Sequence, residues 1–211
     1  MPKGKSNDLT GGTGDVNPQY MRGFVQLPTG TFSPATGSTW VQVQLPIPIS
    51  RLRQAQGKAT VMELLKVFFA GSVSYQPQSP FQLVSNVTLT TKQSSSPVPF
   101  ADPSVIAFSG TNLDVQASAI PAAGTVPLAY IVSGIEATPQ VYDCTDGAGH
   151  GVLVATDAVF LGIQTVMFDP DNAAQWPQPT YTAANATAVM LYRFKEVTLQ
   201  EYIGIVQSQQ T

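Results

Sequence analysis

Apolar and polar residues alternate with a period of two in several segments of the chain. From Thr39 to Leu45, valine and leucine alternate with tryptophan and glutamine. The segments from Phe81 to Thr91, from Ala158 to Phe168 and from Ala188 to Val197 show the same alternation. The pattern predicts half-buried β-strands, each with one face toward a core and the other toward solvent.

Two segments support more detailed predictions. Alternation in the strand from Phe81 to Thr91 places Leu83, Val87 and Leu89 inward and Asn86, Thr88 and Thr90 outward. The segment from Thr60 to Tyr75 begins with ten mostly apolar residues that are also compatible with a short helix. Its second part alternates like a strand, so we favour one long strand, buried on both faces and bent at Gly71.

Four shorter runs complete the predicted strands: Val105 to Phe108, Leu128 to Val132, Val152 to Ala155, and Tyr202 to Val206 at the end of the chain. This makes eight to ten strands, and no segment shows helical periodicity with good caps. Such a pattern predicts an all-β sandwich or barrel.

Three segments are predicted to lie outside the strands. Residues 1–19 are rich in glycine and polar residues, which indicates an N-terminal arm before a single β domain of residues 20–211. The segments from Asp114 to Pro127 and from Asp169 to Asn185 are rich in proline, alanine and turn-forming residues. We expect both to be long surface loops, which in a sandwich often serve function or interfaces.

The charge content is unusually low. Charged residues make up 11% of the chain, against about 25% in an average soluble domain. A surface with so few charges loses little ionic hydration when it is covered, so it associates easily. The composition therefore favours self-assembly over a merely neutral exterior.

The positive charges are few, and the net charge is −3. Two lysines lie near the N-terminus and three further cations lie close together in the chain. These five residues are the candidates for contact with nucleic-acid phosphates: Lys3, Lys5, Arg51, Arg53 and Lys58. An exposed polar loop between two strands explains the second group equally well, and no aromatic residues are interleaved for base stacking.

We predict that the protein is not an enzyme. A nucleophile needs a neighbouring base, and the single histidine, His150, lies between two glycines six residues after the single cysteine, Cys144. A tight turn in which Asp146 and His150 bond the local backbone is the favoured interpretation. No catalytic residue and no cofactor is therefore predicted.

No metal site is predicted either. One cysteine and one histidine are too few for a typical zinc site. The pairs Asp143 with Asp146 and Asp169 with Asp171 offer oxygen ligands for calcium, but turn-forming aspartates explain them better. The first residues lack the apolar core of a signal peptide, and no stretch is long and apolar enough to span a membrane.

Two stretches resemble a known family. The stretch from Leu45 to Leu52, LPIPISRL, followed by VMELLKV from Val61 to Val67, is similar to the early part of capsid proteins from small circular Rep-encoding single-stranded DNA viruses, the circovirus-like group. The run TDGAGHGVLVATD from Thr145 to Asp157 is similar to a segment of the same group. Together the stretches cover 28 of the 211 residues.

The resemblance implies a single jelly roll of about eight strands with long loops, whose copies assemble into a small icosahedral shell around a nucleic-acid genome. Residues 20–211 are then the coat domain, and the protein is expected in the virion and, during assembly, inside the host cell. The chain departs from many such capsids because it lacks an arginine-rich arm, which leaves genome binding by the arm in doubt.

A β-sandwich carbohydrate- or receptor-binding module is the alternative. In that case Trp176, Trp40 and Tyr181 are the candidates for a sugar-stacking platform.

Overall fold

The structure, a computed structural model, describes residues 18–27, 30–31, 38–47, 52–53, 57–76, 81–117, 130–135, 140–168 and 180–210. These ranges contain twelve strands and one helix. The strands are Gln19–Leu27 (β1), Gly30–Thr31 (β2), Ser38–Pro46 (β3), Leu52–Arg53 (β4), Lys58–Gln76 (β5), Phe81–Thr90 (β6), Val105–Ala117 (β7), Tyr130–Ile135 (β8), Gln140–Asp143 (β9), Val152–Val154 (β10), Ala158–Phe168 (β11) and Thr180–Thr198 (β12). The helix is Leu199–Gln210 (α1).

The strands form two antiparallel sheets. Sheet A has the order β1-β12-β5-β10. Strand β9 also pairs with β5, the short β2 pairs with β12, and the short β4 pairs with β5. Sheet B has the order β3-β11-β6-β7-β8. Early and late strands pair side by side in both sheets, as β1 does with β12 and β3 with β11. This interleaving of early and late strands in two packed sheets is a jelly roll, and the prediction of an all-β jelly-roll sandwich is confirmed.

The core lies between the two sheets. Its largest fully buried side chains come from both layers, and each contributes roughly 1.5–3 kcal/mol by leaving water: Leu27, Met62, Leu64 and Met190 from sheet A, and Leu89, Leu161 and Ile163 from sheet B. Val41, Val43 and Leu45 of β3 pack against this core, as the alternation predicts. No helix within the described ranges has the length and hydropathy needed to cross a bilayer.

The long strand β5 is confirmed, and no register irregularity marks the bend that is predicted at Gly71. Pairing with β12 continues through Gly71, and the irregularity falls at Leu65, which the register between β5 and β12 skips. Buried residues occupy both faces between Val61 and Leu64. Beyond the bulge the burial alternates, because helix α1 covers only the first part of the strand.

The chain ends in a helix rather than in the predicted strand from Tyr202 to Val206. Thr198 and Glu201 form a capping box: the Thr198 hydroxyl accepts from the Glu201 N–H at 3.2 Å, and the Glu201 carboxylate accepts from the Thr198 N–H at 2.9 Å. Tyr202, Ile205 and Val206 have the spacing of one helix face, and they pack on the outer side of sheet A. The apolar residues that imitate a strand are therefore one face of a capped helix.

Both predicted loops are shorter than expected. The first four residues of the segment from Asp114 to Pro127 belong to β7, which hydrogen-bonds to β6 and β8 there. The last six residues of the segment from Asp169 to Asn185 belong to β12. Pairing along the neighbouring strand holds these polar residues in the sheets despite their turn-like composition. The rest of both segments lies outside the described residues, as does the arm up to residue 17.

The outward direction predicted for Thr88 and Thr90 on β6 is confirmed, but neither side chain is exposed to solvent. Both lie on the outer face of sheet B, yet they are 2% and 0% exposed. The segment 91–104 and the β3 side chains Trp40 and Gln42 cover them, and the Gln42 amide donates to the Thr90 hydroxyl at 3.1 Å. An overlying loop, which alternation does not reveal, buries these hydroxyls.

Candidate assembly surface

The outer face of sheet A carries large exposed apolar side chains on the flanking strands β1 and β9, beside partly exposed ones on the central strands β5 and β12. Residues directly opposite each other in antiparallel strands point to the same face, so the register defines which side chains are neighbours. We call the following residues the sheet A face: Tyr20, Arg22, Phe24, Lys66, Phe68, Val141, Val189 and Leu191.

The register arranges this face in rows across four strands. One row runs from Arg22 through Val189 and Phe68 to Val141, and the neighbouring row runs from Tyr20 through Leu191 to Lys66. Tyr20 is 69% exposed and Val141 is 56% exposed. The apolar strip thus extends from the edge strand β1 to the opposite side of the sheet.

Charges on the face are sparse. Lys66 reaches Asp143 at 3.4 Å, and both side chains are largely exposed, so this ion pair contributes little to stability. The edge strand β1 presents Tyr20, Arg22 and Phe24 outward in succession, and Phe24 is 51% exposed. Tyrosine, phenylalanine and arginine are enriched in protein–protein interfaces.

A buried ion pair bounds this face. Glu63 on β5 is 1% exposed, and its carboxylate accepts from the Arg193 guanidinium of β12 and from the Gly151 N–H at 3.0 Å. Arg193 also donates to the Gly149 carbonyl at 3.2 Å. Burial raises the pKa of Glu63, but these hydrogen bonds and the nearby positive charges outweigh it and hold the pKa below 4.5. The pair therefore stays ionised and holds the segment before β10 on sheet A.

That segment is the glycine-rich turn around His150. The Asp146 carboxylate accepts from the N–H groups of Ala148 and His150 at 2.8 and 3.1 Å, and Gly147 and Gly149 have positive φ angles of 81° and 89°. The predicted turn is confirmed. Gly151 follows the turn, and its backbone lies so close to β5 that an added Cβ would clash with the Leu64 carbonyl oxygen.

The neighbouring cysteine is not an activated nucleophile. Cys144 is 8% exposed, and burial together with the adjacent Asp143 raises the pKa of its thiol to about 11. Asp143 itself caps the turn by accepting from the Thr145 N–H and hydroxyl at 2.9 and 2.7 Å. Hydrogen bonds within the turn thus use Asp143 and Asp146, as the turn interpretation predicts.

Over the described part of the chain, no three metal-ligating side chains come together, and Asp169 and Asp171 lie outside it.

The structure tests the nucleic-acid candidates only in part. Lys58 is paired with Glu196 at 3.2 Å. Arg53 lies opposite Lys58 in the short β4–β5 pairing, but the side chain of Arg53 is not described. The other three candidates, Arg51, Lys3 and Lys5, lie outside the described residues. Their contact with phosphates stays a prediction.

The structure does not bring the sugar-platform candidates together. Trp40 lies on the outer face of sheet B, and Tyr181 is in β12 of sheet A. The two residues are therefore in opposite layers of the sandwich, and Trp176 is outside the described residues.

Among the functional features, the Glu63–Arg193 pair and the sheet A face were missed in the sequence. A glutamate inside the apolar run of β5 is the one signal that indicates a buried charge, but nothing identifies its partner 130 positions later. Recognition of the sheet A face requires the register between strands.

The fold and its surfaces define the class: the chain is a jelly-roll β-sandwich with an exposed apolar sheet face. No family model matches the sequence, and no curated protein matches it. Among solved structures, the chain is similar to Trichodysplasia spinulosa-associated polyomavirus VP1 in complex with 3'-sialyllactose, at 8% identity and a TM-score of 0.48, over 89% of this chain and 98% of that one.

Two further structures show a similar degree of likeness. Merkel Cell Polyomavirus VP1 in complex with disialyllactose is 9% identical with a TM-score of 0.47, over 88% of this chain and 98% of that one. The Human Polyomavirus 6 VP1 pentamer is 12% identical with a TM-score of 0.47, over 89% and 99% of the two chains. Such values do not place the chain in that family.

Proposed function

We propose that this protein is a viral coat protein whose copies assemble into a closed shell. The observation that carries the proposal is the sheet A face, where a strip of apolar side chains on a rigid jelly roll is open to solvent. Jelly rolls recur in viral capsid domains and in lectins. An exposed apolar surface of this kind is typical of a protein interaction site.

The edge of sheet A adds a second means of contact. β1 ends the strand order of sheet A, and in the described residues its outer backbone edge has no partner strand. A free edge is a template for pairing with another chain. Tyr20 and Phe24 on the same strand would then be covered by the neighbouring copy, as would Arg22 between them.

The low charge content supports many contacts for each subunit. A specific interface buries roughly 1,000 Å² or more in total, and a shell subunit contacts several neighbours. With 11% charged residues, large parts of the surface can be covered without removing many ions from water. This favours a homomeric shell over a lone domain.

The finer proposal is a small icosahedral shell of the circovirus-like kind, which encloses a nucleic-acid genome in the virion after assembly inside the host cell. The similarity of the stretches from Leu45 to Leu52, from Val61 to Val67 and from Thr145 to Asp157 supports it. Lys3, Lys5, Arg51, Arg53 and Lys58 are the proposed genome contacts, and Lys58 would have to exchange its pairing with Glu196 for a phosphate.

Light scattering and negative-stain electron microscopy of the purified protein test the proposal. We expect large particles of uniform diameter. A monomer that persists at high protein concentration would contradict the coat function. Nuclease-protected nucleic acid in the particles tests the genome contact, and its salt dependence measures how many phosphates are bound.

The alternative function is a carbohydrate- or receptor-binding module. The observation that favours it is a pocket lined by Trp40 on the outer face of sheet B. Glycan binding by a protein that stays monomeric would support this alternative as the main function.

A further inference from the structure

A pocket of about 240 Å³ lies on the outer face of sheet B, far in the fold from the sheet A face. Trp40 and Phe100 form two of its walls, and Asn86, Thr88 and Gln164 contribute to its lining. The stretch from Pro97 to Pro99 completes it. The pocket therefore combines aromatic walls with uncharged polar groups.

The Trp40 wall is held in place from two sides. Trp40 lies opposite Gln164, and a Cβ added to the neighbouring Gly162 would lie 2.0 Å from its indole ring. The absence of a side chain at Gly162 thus lets the ring lie on the strand. The indole N–H donates to the Ser94 carbonyl at 3.2 Å, which fixes the ring's orientation.

The Phe100 wall is also supported. Phe100 stacks on Phe108 of β7 with ring centroids 4.6 Å apart, and it is 45% exposed. The loop that carries it is closed by the Thr91 N–H, which donates to the Ser104 carbonyl at 2.9 Å. Asp102 caps the same loop by accepting from the Ser104 N–H at 2.8 Å. Both aromatic walls are thus built before any ligand enters.

The lining contains one buried hydroxyl with no partner. Thr88 is 2% exposed, and its hydroxyl forms no hydrogen bond in the described part of the protein. Buried polar groups are nearly always hydrogen-bonded. The Thr88 oxygen is enclosed by its neighbours, so a sugar hydroxyl would reach it only after a small shift of a lining side chain, and the unmet hydrogen bond favours such a shift. Asn86 and Gln164 add amide groups that can both donate and accept.

We propose that this pocket binds one ring of a neutral saccharide. A sugar ring presents C–H groups to aromatic walls and hydroxyls to amides and hydroxyls, which is the combination that the lining offers. The lining residues carry no charge, so nothing in the pocket selects an anionic or cationic ligand. Its volume is below the roughly 300–1,000 Å³ of drug-sized sites, which suits a single ring. The inference goes beyond the coat function and does not depend on it.

Saturation-transfer NMR with methyl glucoside, methyl galactoside, methyl mannoside and N-acetylglucosamine tests the proposal, with glucuronate as a charged control. We expect millimolar binding of at least one neutral sugar and none of glucuronate. Phe100→Ser should weaken that binding about tenfold, since it removes one aromatic wall. Thr88→Val should weaken it severalfold while it preserves the shape of the side chain.

Matched controls separate this site from the fold and from assembly. Thr165→Val removes another buried, unpartnered hydroxyl, and Phe24→Ser removes an exposed phenylalanine from the sheet A face; both should leave sugar binding unchanged. No binding of any neutral sugar, or binding that survives both pocket variants, would overturn the proposal. A parent protein that binds the sugar but forms no particles would contradict the coat function alone.

Discussion

Replacement of Arg193 by methionine should destabilise the subunit strongly. The change keeps an apolar side chain of similar length but leaves the Glu63 carboxylate, 1% exposed, without its cation. Removal of one partner from a buried ion pair costs about 3–5 kcal/mol. The lower part of that range is expected here, because the Gly151 N–H still donates to the carboxylate.

The double variant Glu63→Leu with Arg193→Met distinguishes an orphaned charge from a simple loss of packing. A buried ion pair can often be replaced by apolar residues at little cost. The Gly151 N–H would lose its acceptor, which costs about 1–3 kcal/mol. We therefore expect the double variant to be more stable than Arg193→Met and somewhat less stable than the parent.

Urea unfolding followed by tryptophan fluorescence measures these differences. The variants are made in a Phe24→Ser background, which should keep the subunits dispersed, so that disassembly does not contribute to the measured free energy of unfolding. A loss below about 1 kcal/mol for Arg193→Met, or a double variant less stable than the single one, would refute the role of the pair.

The pH dependence gives an independent check of the same pair. The folded-state pKa of Glu63 lies below its ordinary value of 4.5. The stability from this carboxylate is therefore fully present above about pH 4.5, and it is lost as the pH falls through the lowered folded-state pKa. The double variant should lack this acid-dependent loss of stability. An equal loss of stability at acid pH in the parent and the double variant would contradict the lowered pKa of Glu63.

Three further changes have defined outcomes in the same unfolding measurement. Thr165→Val should stabilise the subunit by about 1 kcal/mol, because it removes an unpartnered hydroxyl in the core; a loss of stability would contradict this. Gly151→Ala should cost more than about 2 kcal/mol, because its Cβ would meet the Leu64 carbonyl, and a neutral effect would show that the segment can shift. Thr198→Ala should cost about 1 kcal/mol by removing the α1 cap and should lower helical circular dichroism; unchanged helicity would contradict the capping role.

The strand pattern was predictable where one face of a strand is buried and the other is exposed. The segment from Ala158 to Phe168 coincides with β11, and that from Thr39 to Leu45 lies within β3. Both are long enough for the alternation to be clear. The jelly-roll order of the strands came from the resemblance and not from the pattern.

The C-terminal helix was predictable in principle. Thr198 followed three positions later by Glu201 is a capping-box signature before an apolar run. The run from Tyr202 to Val206 has only five residues. Over so short a length, its apolar positions fit the strand period of two residues as well as the helix period of 3.6 residues. In such a short run, the cap is a better guide than the alternation.

The candidate sites were much less predictable. The sheet A face combines residues from four strands that are up to 171 positions apart, as Tyr20 and Leu191 are. The pocket of sheet B depends on a loop that folds back over β6 and on the space left by Gly162. Neither arrangement has a local sequence signal, because both depend on register and on tertiary packing.

The most direct test of the account compares particle formation by the parent, Phe24→Ser and Phe100→Ser. The two phenylalanines are 51% and 45% exposed on opposite sides of the sandwich, Phe24 on β1 and Phe100 on the loop over sheet B, so each variant removes a similar apolar side chain from a surface. Loss of an aromatic residue at the centre of an interface weakens that contact by about 2 kcal/mol or more. The free-energy losses add over the many equivalent contacts of a shell. Electron microscopy should show uniform shells for the parent and Phe100→Ser, and dispersed subunits for Phe24→Ser. Intact shells from Phe24→Ser would contradict the claim that the sheet A face joins the copies.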